Sequence, residues 1–145
     1  MRAIRTPHPG AEQGFTLLEI MVVVVIIGLL AAVVAPSFMN QIDTATVNRA
    51  RSDLRNVETA LNLYRLDNFR YPSTTEGLEA LVNNPGETAA PNWRQSLERM
   101  PLDPWEQPYQ YASPGQHGDF DVFTYGADRQ EGGEGINADI GNWDL

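Results

Sequence analysis

The sequence predicts an α+β protein in which a long N-terminal helix packs on a small antiparallel β-sheet head. Two observations predict this class. An apolar run that begins at Phe15 continues as a helical stripe of apolar residues as far as Tyr64, which indicates one long helix. Two short segments of alternating character, around Tyr109 and Phe120, are separated by turn-forming residues and indicate a hairpin.

The composition limits the possible classes of function. The 145 residues suffice for one small domain and an extended element. Ten basic residues, all of them arginine, face nineteen acidic residues, and the net charge is −9. Because nucleic-acid binding requires a basic face, we expect no nucleic-acid partner. The chain has no cysteine, which excludes disulfides and thiolate metal sites.

A segment long enough to cross a membrane follows a short polar start. Residues 1–14 are polar and carry Arg2 and Arg5, whereas residues 15–35 carry one charge, at Glu19. As a helix, the second segment would be about 31 Å long, close to the thickness of a bilayer core. The arginines predict a cytoplasmic N-terminus and translocation of the rest. The segment is too long for a secretory signal and lacks a lipoprotein cysteine, which leaves a plain membrane anchor as the alternative.

Glu19 argues against a plain anchor. An ionised carboxylate in hydrocarbon is costly unless a cation neutralises it. No arginine or histidine lies between His8 and Arg49, so the partner must come from elsewhere. A cut after Gly14 would create a free α-amino group at Phe15, which could pair with Glu19 in the same chain or in a neighbour.

The residues from Gly14 to Glu19, followed by the apolar run, resemble the class III signal of type IV prepilins and pseudopilins. This resemblance implies cleavage after Gly14 by a prepilin peptidase and N-methylation of Phe15. It also implies that Glu19 is needed for assembly and pairs with the N-terminus of a neighbouring subunit.

Beyond Pro36, the chain becomes polar but keeps a helical period. Apolar residues recur on one face, at Phe38, Ile42, Ala45, Val47, Ala50, Leu54, Val57, Leu61 and Tyr64. We therefore expect one helix from near Phe15 to about Asp67, bent near Pro36. The charge pattern by itself also allows a coiled coil or a simple helical stalk.

The segments after this helix predict a packed head. Tyr71-Pro72 ends the helix, and residues 75–82 predict a short helix capped by serine or threonine. Later segments predict, in order, a turn at residues 103–105, a strand at 109–111, a turn at 113–118 and a strand at 120–123. Four aromatic residues could form a ligand box, but we expect them in the core: Trp93, Trp105, Tyr109 and Tyr111.

The head resembles the major pseudopilins of type II secretion systems. The strings that carry this resemblance are YRLDNFRYPSTTEGLEALV, PLDPW, PYQYASPGQHG, FDVFTYGAD and EGGEGINADIGNWDL. The resemblance implies a pilin-like fold with a cleaved leader (residues 1–14), a transmembrane and polymerisation helix (residues 15–36) and a periplasmic head (residues 37–145). The absence of cysteine fits this branch better than type IVa pilins, which typically close their C-terminal region with a disulfide.

Three positions depart from the family pattern. Glu106-Gln107 stands where Gly-Asn is common, Tyr125 where leucine is usual, and Arg129 where glycine is usual. The first departure bears on the conformation of its turn. The last places an extra cation beside the acidic C-terminal loop.

This acidic loop runs from Tyr125 to Asn142 and is rich in glycine. Calcium takes roughly six to eight oxygen ligands in irregular geometry, but the residues alone leave a calcium site and a flexible acidic tail equally open. The spacing lacks carboxylates that an EF-hand needs. The resemblance implies a structural calcium, held by the side chains of Asp128 and Asp139 and by the backbone carbonyls of Tyr125 and Gln130.

The resemblance implies a subunit that polymerises into a pseudopilus and drives the export of folded periplasmic proteins. The expected partners are further copies of the chain, minor pseudopilins, the prepilin peptidase and N-methyltransferase, the inner-membrane secretion platform and, before assembly, membrane lipid. We expect a single-pass protein of the bacterial inner membrane with its head in the periplasm. The alternatives are a type IV pilin or minor pseudopilin, or a membrane-anchored calcium-binding periplasmic protein.

A membrane-tethered enzyme is a further class, and the residues argue against it. The chain has two histidines, His8 in the expected leader and His117 in a turn. It has no cysteine, no lysine, no G-x-S-x-G motif and no nucleotide-binding loop. We therefore expect no catalytic activity.

Overall fold

The structure is a computed structural model that describes residues 14–145. The predicted leader up to residue 13, with Arg2, Arg5 and His8, lies outside the described residues. The elements are α1 (Leu17–Asn68), a 3-10 helix (Leu78–Leu81), β1 (Gln110–Ala112), β2 (Asp121–Thr124), a second 3-10 helix (Gly135–Asn137), β3 (Ile140–Gly141) and a third 3-10 helix (Asn142–Asp144). Among the described residues, those from 14 to 39 form one compact unit and Asn40–Leu145 form another, which we call the head.

The first part of α1 is apolar and open to its surroundings. The helix begins at Leu17, where the backbone N–H of Glu19 donates to the Thr16 hydroxyl at 3.2 Å and so satisfies one of the unpaired N–H groups of the first turn. The 18 residues Leu17–Val34 are long and apolar enough to cross a membrane, and none of them is buried. The long helix and its predicted ends are confirmed to within a few residues. The bend near Pro36 stays a prediction.

The second part of α1 is the spine of the head. Its apolar stripe is buried from Ala50 to Tyr64, and Val47 is partly buried at its start. The periodic apolar residues of this face begin earlier in the sequence, but the head does not cover the first of them. Ile42 is 60% exposed and Ala45 is also exposed, because the loops and sheet of the head cover α1 only from about Val47 onwards. The side chain of Phe38 is not described.

The sheet is antiparallel, with strand order β1-β2-β3. Tyr111 pairs with Val122 between β1 and β2, and Thr124 pairs with Ile140 between β2 and β3. The predicted hairpin is confirmed, with each strand displaced by about one residue. The third strand was not predicted, because a two-residue strand is too short to show alternation. Asn142 supports the sheet, since its Oδ1 accepts the backbone N–H of Val122 at 2.9 Å.

The short helix after α1 differs from its prediction. It is a 3-10 helix from Leu78 to Leu81, preceded by Gly77, and no side chain caps it. Ser73 instead caps the turn that precedes this helix, at residues 73–76. Its hydroxyl accepts the N–H of Glu76 at 3.2 Å, while the Glu76 carboxylate accepts the N–H of Ser73 at 2.7 Å. This reciprocal arrangement orders the turn that leads out of α1.

The aromatic residues of the head are core, as predicted. Tyr109 is 4% exposed and lies in the cluster built from α1, the sheet and the first 3-10 helix. Trp93, Trp105 and Tyr111 pack against this cluster. The Trp93 indole N–H donates to the carbonyl of Ala80 at 2.6 Å, so its polar edge is satisfied as well.

Candidate assembly segment and acidic loop

Glu19 lies in the first turn of α1, within the apolar span. Its backbone N–H is engaged by Thr16, but within residues 14–145 its carboxylate has no ion-pair partner. Phe15 precedes it and is 79% exposed. The structure thus leaves the acid and the predicted new N-terminus free to meet groups outside this chain.

The acidic loop leaves β2 at Thr124 and returns at β3. It is closed by a hydrogen bond from the N–H of Ala127 to the carbonyl of Ile136, at 2.9 Å. Gly126 has φ +71°, and a Cβ there would lie 2.7 Å from the same carbonyl. Glycine is therefore required for this close approach of the two backbone segments.

The two predicted carboxylate ligands are held by different turns of the loop. Asp128 Oδ1 accepts the N–H of Gln130 at 3.1 Å, and Asp139 Oδ2 accepts the N–H of Gly132 at 3.0 Å. The other oxygen of Asp139, Oδ1, is buried and has no hydrogen-bond partner within the described part of the chain. A buried carboxylate oxygen is costly unless a donor or a cation satisfies it.

The loop could bind a cation only if backbone carbonyl oxygens served as ligands beside the carboxylates. Among the described residues, no group of three or more histidine, cysteine or acidic side chains is placed to hold a metal. Calcium accepts carbonyl oxygens as well as carboxylates. The unpaired oxygen of Asp139 is thus compatible with calcium, provided that carbonyls such as those of Tyr125 and Gln130 complete the shell.

The two departures from glycine share a structural feature. Glu106 has φ +63° and Arg129 has φ +61°, a region that side chains other than glycine rarely adopt. A glycine at either position would adopt this backbone without strain. Tyr125, the third departure, packs edge-to-face on Phe123 with 5.2 Å between ring centroids.

Asp103 is a buried acid that the sequence placed in a turn without giving it a role. It is 2% exposed, and its Oδ1 accepts the N–H groups of Trp105 and Gln107 at 2.9 and 2.7 Å. Its Oδ2 accepts the Thr124 hydroxyl. Asp103 therefore joins the turn at residues 103–107 to β2, just before the acidic loop begins.

His117 is a surface residue, as predicted, but it is ordered by its neighbours. Its Nδ1 lies 3.1 Å from Asp121 Oδ2, and its ring stacks on Trp143 with 3.9 Å between centroids. Burial raises the pKa of Asp121, but hydrogen bonds from Gln116 and His117 outweigh burial, and the net pKa is lowered. The secondary structure predicted from the sequence did not reveal this contact, because His117 and Trp143 are far apart in the sequence.

An exposed, membrane-length helix that continues as the spine of a small antiparallel head defines a pilin-like subunit. Residues 10–35 match the prokaryotic N-terminal methylation motif, and residues 37–143 match the model of type II secretion system protein G. The chain therefore belongs to the type II secretion system protein G family.

Individual members of this family are similar in sequence to most of the chain. The type II secretion system core protein G of Pseudomonas aeruginosa is 53% identical over 136 residues, which cover 92% of this chain and 96% of the relative. The protein of the same name from Vibrio cholerae is 52% identical and covers 92% and 93%. The crystal structure of the major pseudopilin from the type 2 secretion system of enterohaemorrhagic Escherichia coli is 44% identical, with a TM-score of 0.63, and covers 74% of this chain and 94% of that one.

Proposed function

We propose that the chain is the major structural subunit of a type II secretion pseudopilus. Cleavage after Gly14 and methylation of Phe15 produce the mature subunit, which leaves the inner membrane as it joins a filament of further copies. Growth of this filament drives folded periplasmic proteins outwards. The observation that carries this proposal is the apolar span Leu17–Val34, none of which is buried, with the unpaired carboxylate of Glu19 inside it.

The physical basis of assembly is the neutralisation of one charge. Packing the apolar spans against one another removes Glu19 from any aqueous contact, so its carboxylate requires a cation in the interior of the filament. The α-amino group of Phe15 on a neighbouring subunit meets this requirement only if the two helices are offset along the axis. The ion pair thus selects the axial register of the filament, while the apolar side chains supply the contact area.

The experiment compares the native chain with Glu19→Ala and Glu19→Gln. Mass spectrometry of the purified chain is expected to show loss of residues 1–14 and one added methyl group in all three. Filaments released from the periplasm by removal of the outer membrane are expected for the native chain and are expected to be absent for both variants. Filaments of the Glu19→Ala variant at native yield, or retention of Met1 in the native chain, would overturn the proposal.

The family's partners follow from this role. The partners would be minor pseudopilins, the inner-membrane platform, and the prepilin peptidase and N-methyltransferase that cuts and methylates each subunit. Membrane lipid surrounds the span before assembly. The head would lie in the periplasm, as the arginines before the span predict, and the subunit would act as a structural protein rather than an enzyme.

We also propose that calcium stabilises the acidic loop. The side chains of Asp128 and Asp139 and the carbonyls of Tyr125 and Gln130 would hold the ion. The unpaired, buried oxygen of Asp139 supports this assignment. The ion would join the start of the loop to its end in a head that has no disulfide. Chelator is expected to lower the melting temperature of the head and excess calcium to restore it; a melting temperature that EGTA leaves unchanged would end the proposal.

A further inference from the structure

An apolar ridge stands exposed at the C-terminal end of α1. Leu63, Leu66 and Phe69 follow one another at intervals of three residues and are 50%, 72% and 86% exposed. Leu66 and Phe69 line shallow grooves on both sides, one with Asn62 and one with Asn92. We call these three residues the ridge.

Phe69 also has a backbone conformation that is unfavourable for a residue with a side chain. Its φ is +59°, directly after the last residue of α1. This is the position where a helix usually ends with glycine, because a bulky side chain in the left-handed region is strained. An aromatic ring that is both strained and exposed contributes little to the stability of its own chain, so its position calls for another explanation.

A groove of about 620 Å³ lies at the opposite end of the head's helical spine. Its apolar surface comes from Val47, Ile136 and Ala138, and Asp43 and Arg51 lie at its sides. Val47 precedes the last residue of α1 by 21 positions, which corresponds to about 31 Å along the helix axis. The ridge and the groove are therefore far apart on one head.

We propose that the ridge of one subunit docks in the groove of the next copy of this chain along the filament. This inference rests on the proposed filament and adds a contact between heads to it. Copies that assemble from one membrane lie parallel, so the ridge at one end of a head can meet only the groove of a copy displaced along the filament axis. They form a head-to-tail contact that repeats without closing, which is the interface that a helical filament needs.

One pair of opposite charges, Arg65 beside the ridge and Asp43 beside the groove, suits this contact. Arg65 and Arg94 flank the ridge, and their side chains remain 52% and 77% exposed although each forms an ion pair within the head. Asp43 and Arg51 line the groove, and both are exposed, so the groove offers one acidic side chain to the arginines beside the ridge. In a chain with a net charge of −9, such pairing reduces the repulsion between copies.

The first test uses the absence of native cysteine. The double variant Phe69→Cys with Asn48→Cys places one thiol on the ridge and one in the groove. The two positions are about 30 Å apart along one helix, so no disulfide can form within a chain. Oxidation of the filaments in the periplasm is expected to give a ladder of dimers, trimers and longer products.

The matched control is Phe69→Cys with Leu102→Cys. Leu102 is 48% exposed but lines another surface of the head, together with Pro104 and Glu106. Each single variant is tested as well. A ladder is expected only for the ridge–groove pair. An equal ladder from the control pair, or none from the ridge–groove pair in filaments of native yield, would overturn the proposal.

The second test separates stability from docking. Phe69→Gly relieves the strained backbone, so the melting temperature is expected to stay the same or to rise. The yield of filaments released from the periplasm is expected to fall about tenfold or more, the scale of losing one buried aromatic side chain. Glu106→Gly, which relieves the same backbone conformation elsewhere, is expected to retain native filament yield.

The outcomes distinguish this contact from the function on which it rests. If the native chain forms no filaments, the proposed function and the docking contact both fail. If Phe69→Gly forms filaments at native yield, the docking contact fails and the proposed function stands. If Phe69→Gly forms native filaments but abolishes secretion, the ridge binds another component of the machinery and not a second copy.

Discussion

Arg70 and Glu76 form a two-pronged ion pair, with both guanidinium Nη atoms 2.7 Å from the carboxylate oxygens. Arg70 also donates to the carbonyls of Tyr71 and Ala89, at 3.0 and 2.7 Å. Glu76 in turn accepts the N–H of Ser73. One pair of side chains thus joins the exit from α1, the turn that follows it and the loop before Trp93.

This pair predicts an acid-sensitive component of stability. Hydrogen bonds from Arg70 lower the pKa of Glu76 from its ordinary 4.5 to about 2. Because the folded-state pKa is the lower one, the stabilisation is complete above about pH 4.5 and is lost as the pH falls towards about 2. We expect the urea midpoint of the head (residues 37–145) to fall over this range.

Glu76→Gln tests whether this carboxylate is responsible. At pH 7 the variant is expected to lose about 1–3 kcal/mol of unfolding free energy, the scale of hydrogen bonds to a charged group. Between pH 5 and about pH 2 it should lose less further stability than the native head. Parallel pH profiles for the two proteins would assign the acid sensitivity to other carboxylates.

Replacing the buried Asp103 is expected to cause a large loss of stability. Replacing it with alanine leaves the N–H groups of Trp105 and Gln107 and the hydroxyl of Thr124 without their acceptor, so we expect a loss of about 3 kcal/mol or more. Asp103→Asn keeps one acceptor oxygen and should cost less. Chemical denaturation of the two heads measures the difference, and equal losses would show that the space filled by the side chain matters more than its hydrogen bonds.

Arg129→Gly is expected to strengthen calcium binding. The substitution removes a cation from the loop and relieves the left-handed backbone at that position. Without calcium, the relief and the added freedom of the unfolded chain oppose each other, so stability should change by no more than about 1 kcal/mol. The melting temperature with calcium minus that with EGTA should increase. Glu106→Gly makes the same backbone change away from the loop and should leave this difference unaltered.

Gly141→Ala is expected to break the contact between His117 and Trp143. A Cβ at Gly141 would lie 2.5 Å from the indole ring, which must therefore move. In NMR spectra, the ring protons of His117 should then lose the ring-current shift caused by the stacked indole. Trp143→Ala is the control and should give the same His117 shifts. Unchanged His117 signals in the Gly141→Ala variant would mean that the ring accommodates the methyl group without unstacking.

The long helix and the hairpin were predictable because each has a repeating pattern of apolar residues, as between Ala50 and Tyr64. The strand at Ile140 was not, because two residues show no period and its pairing with Thr124 depends on the rest of the sheet. The burial of Asp103 and its hydrogen bond to Thr124 were not predicted for a similar reason, since Thr124 is 21 residues away in the sequence. At Glu106 and Arg129 the departures were visible in the sequence, but only the backbone angles explain why glycine suits those positions.

The core of the head depends on the helix that carries it. Of the 14 buried apolar residues in the described part of the chain, six belong to α1: Ala50, Leu54, Val57, Ala60, Leu61 and Tyr64. A soluble fragment must therefore start upstream of Val47 to fold. A fragment that starts later would lack the helical residues that fill the core of the head. For the same reason, exchanging heads between homologous subunits requires that this stretch of helix be transplanted together with the strands.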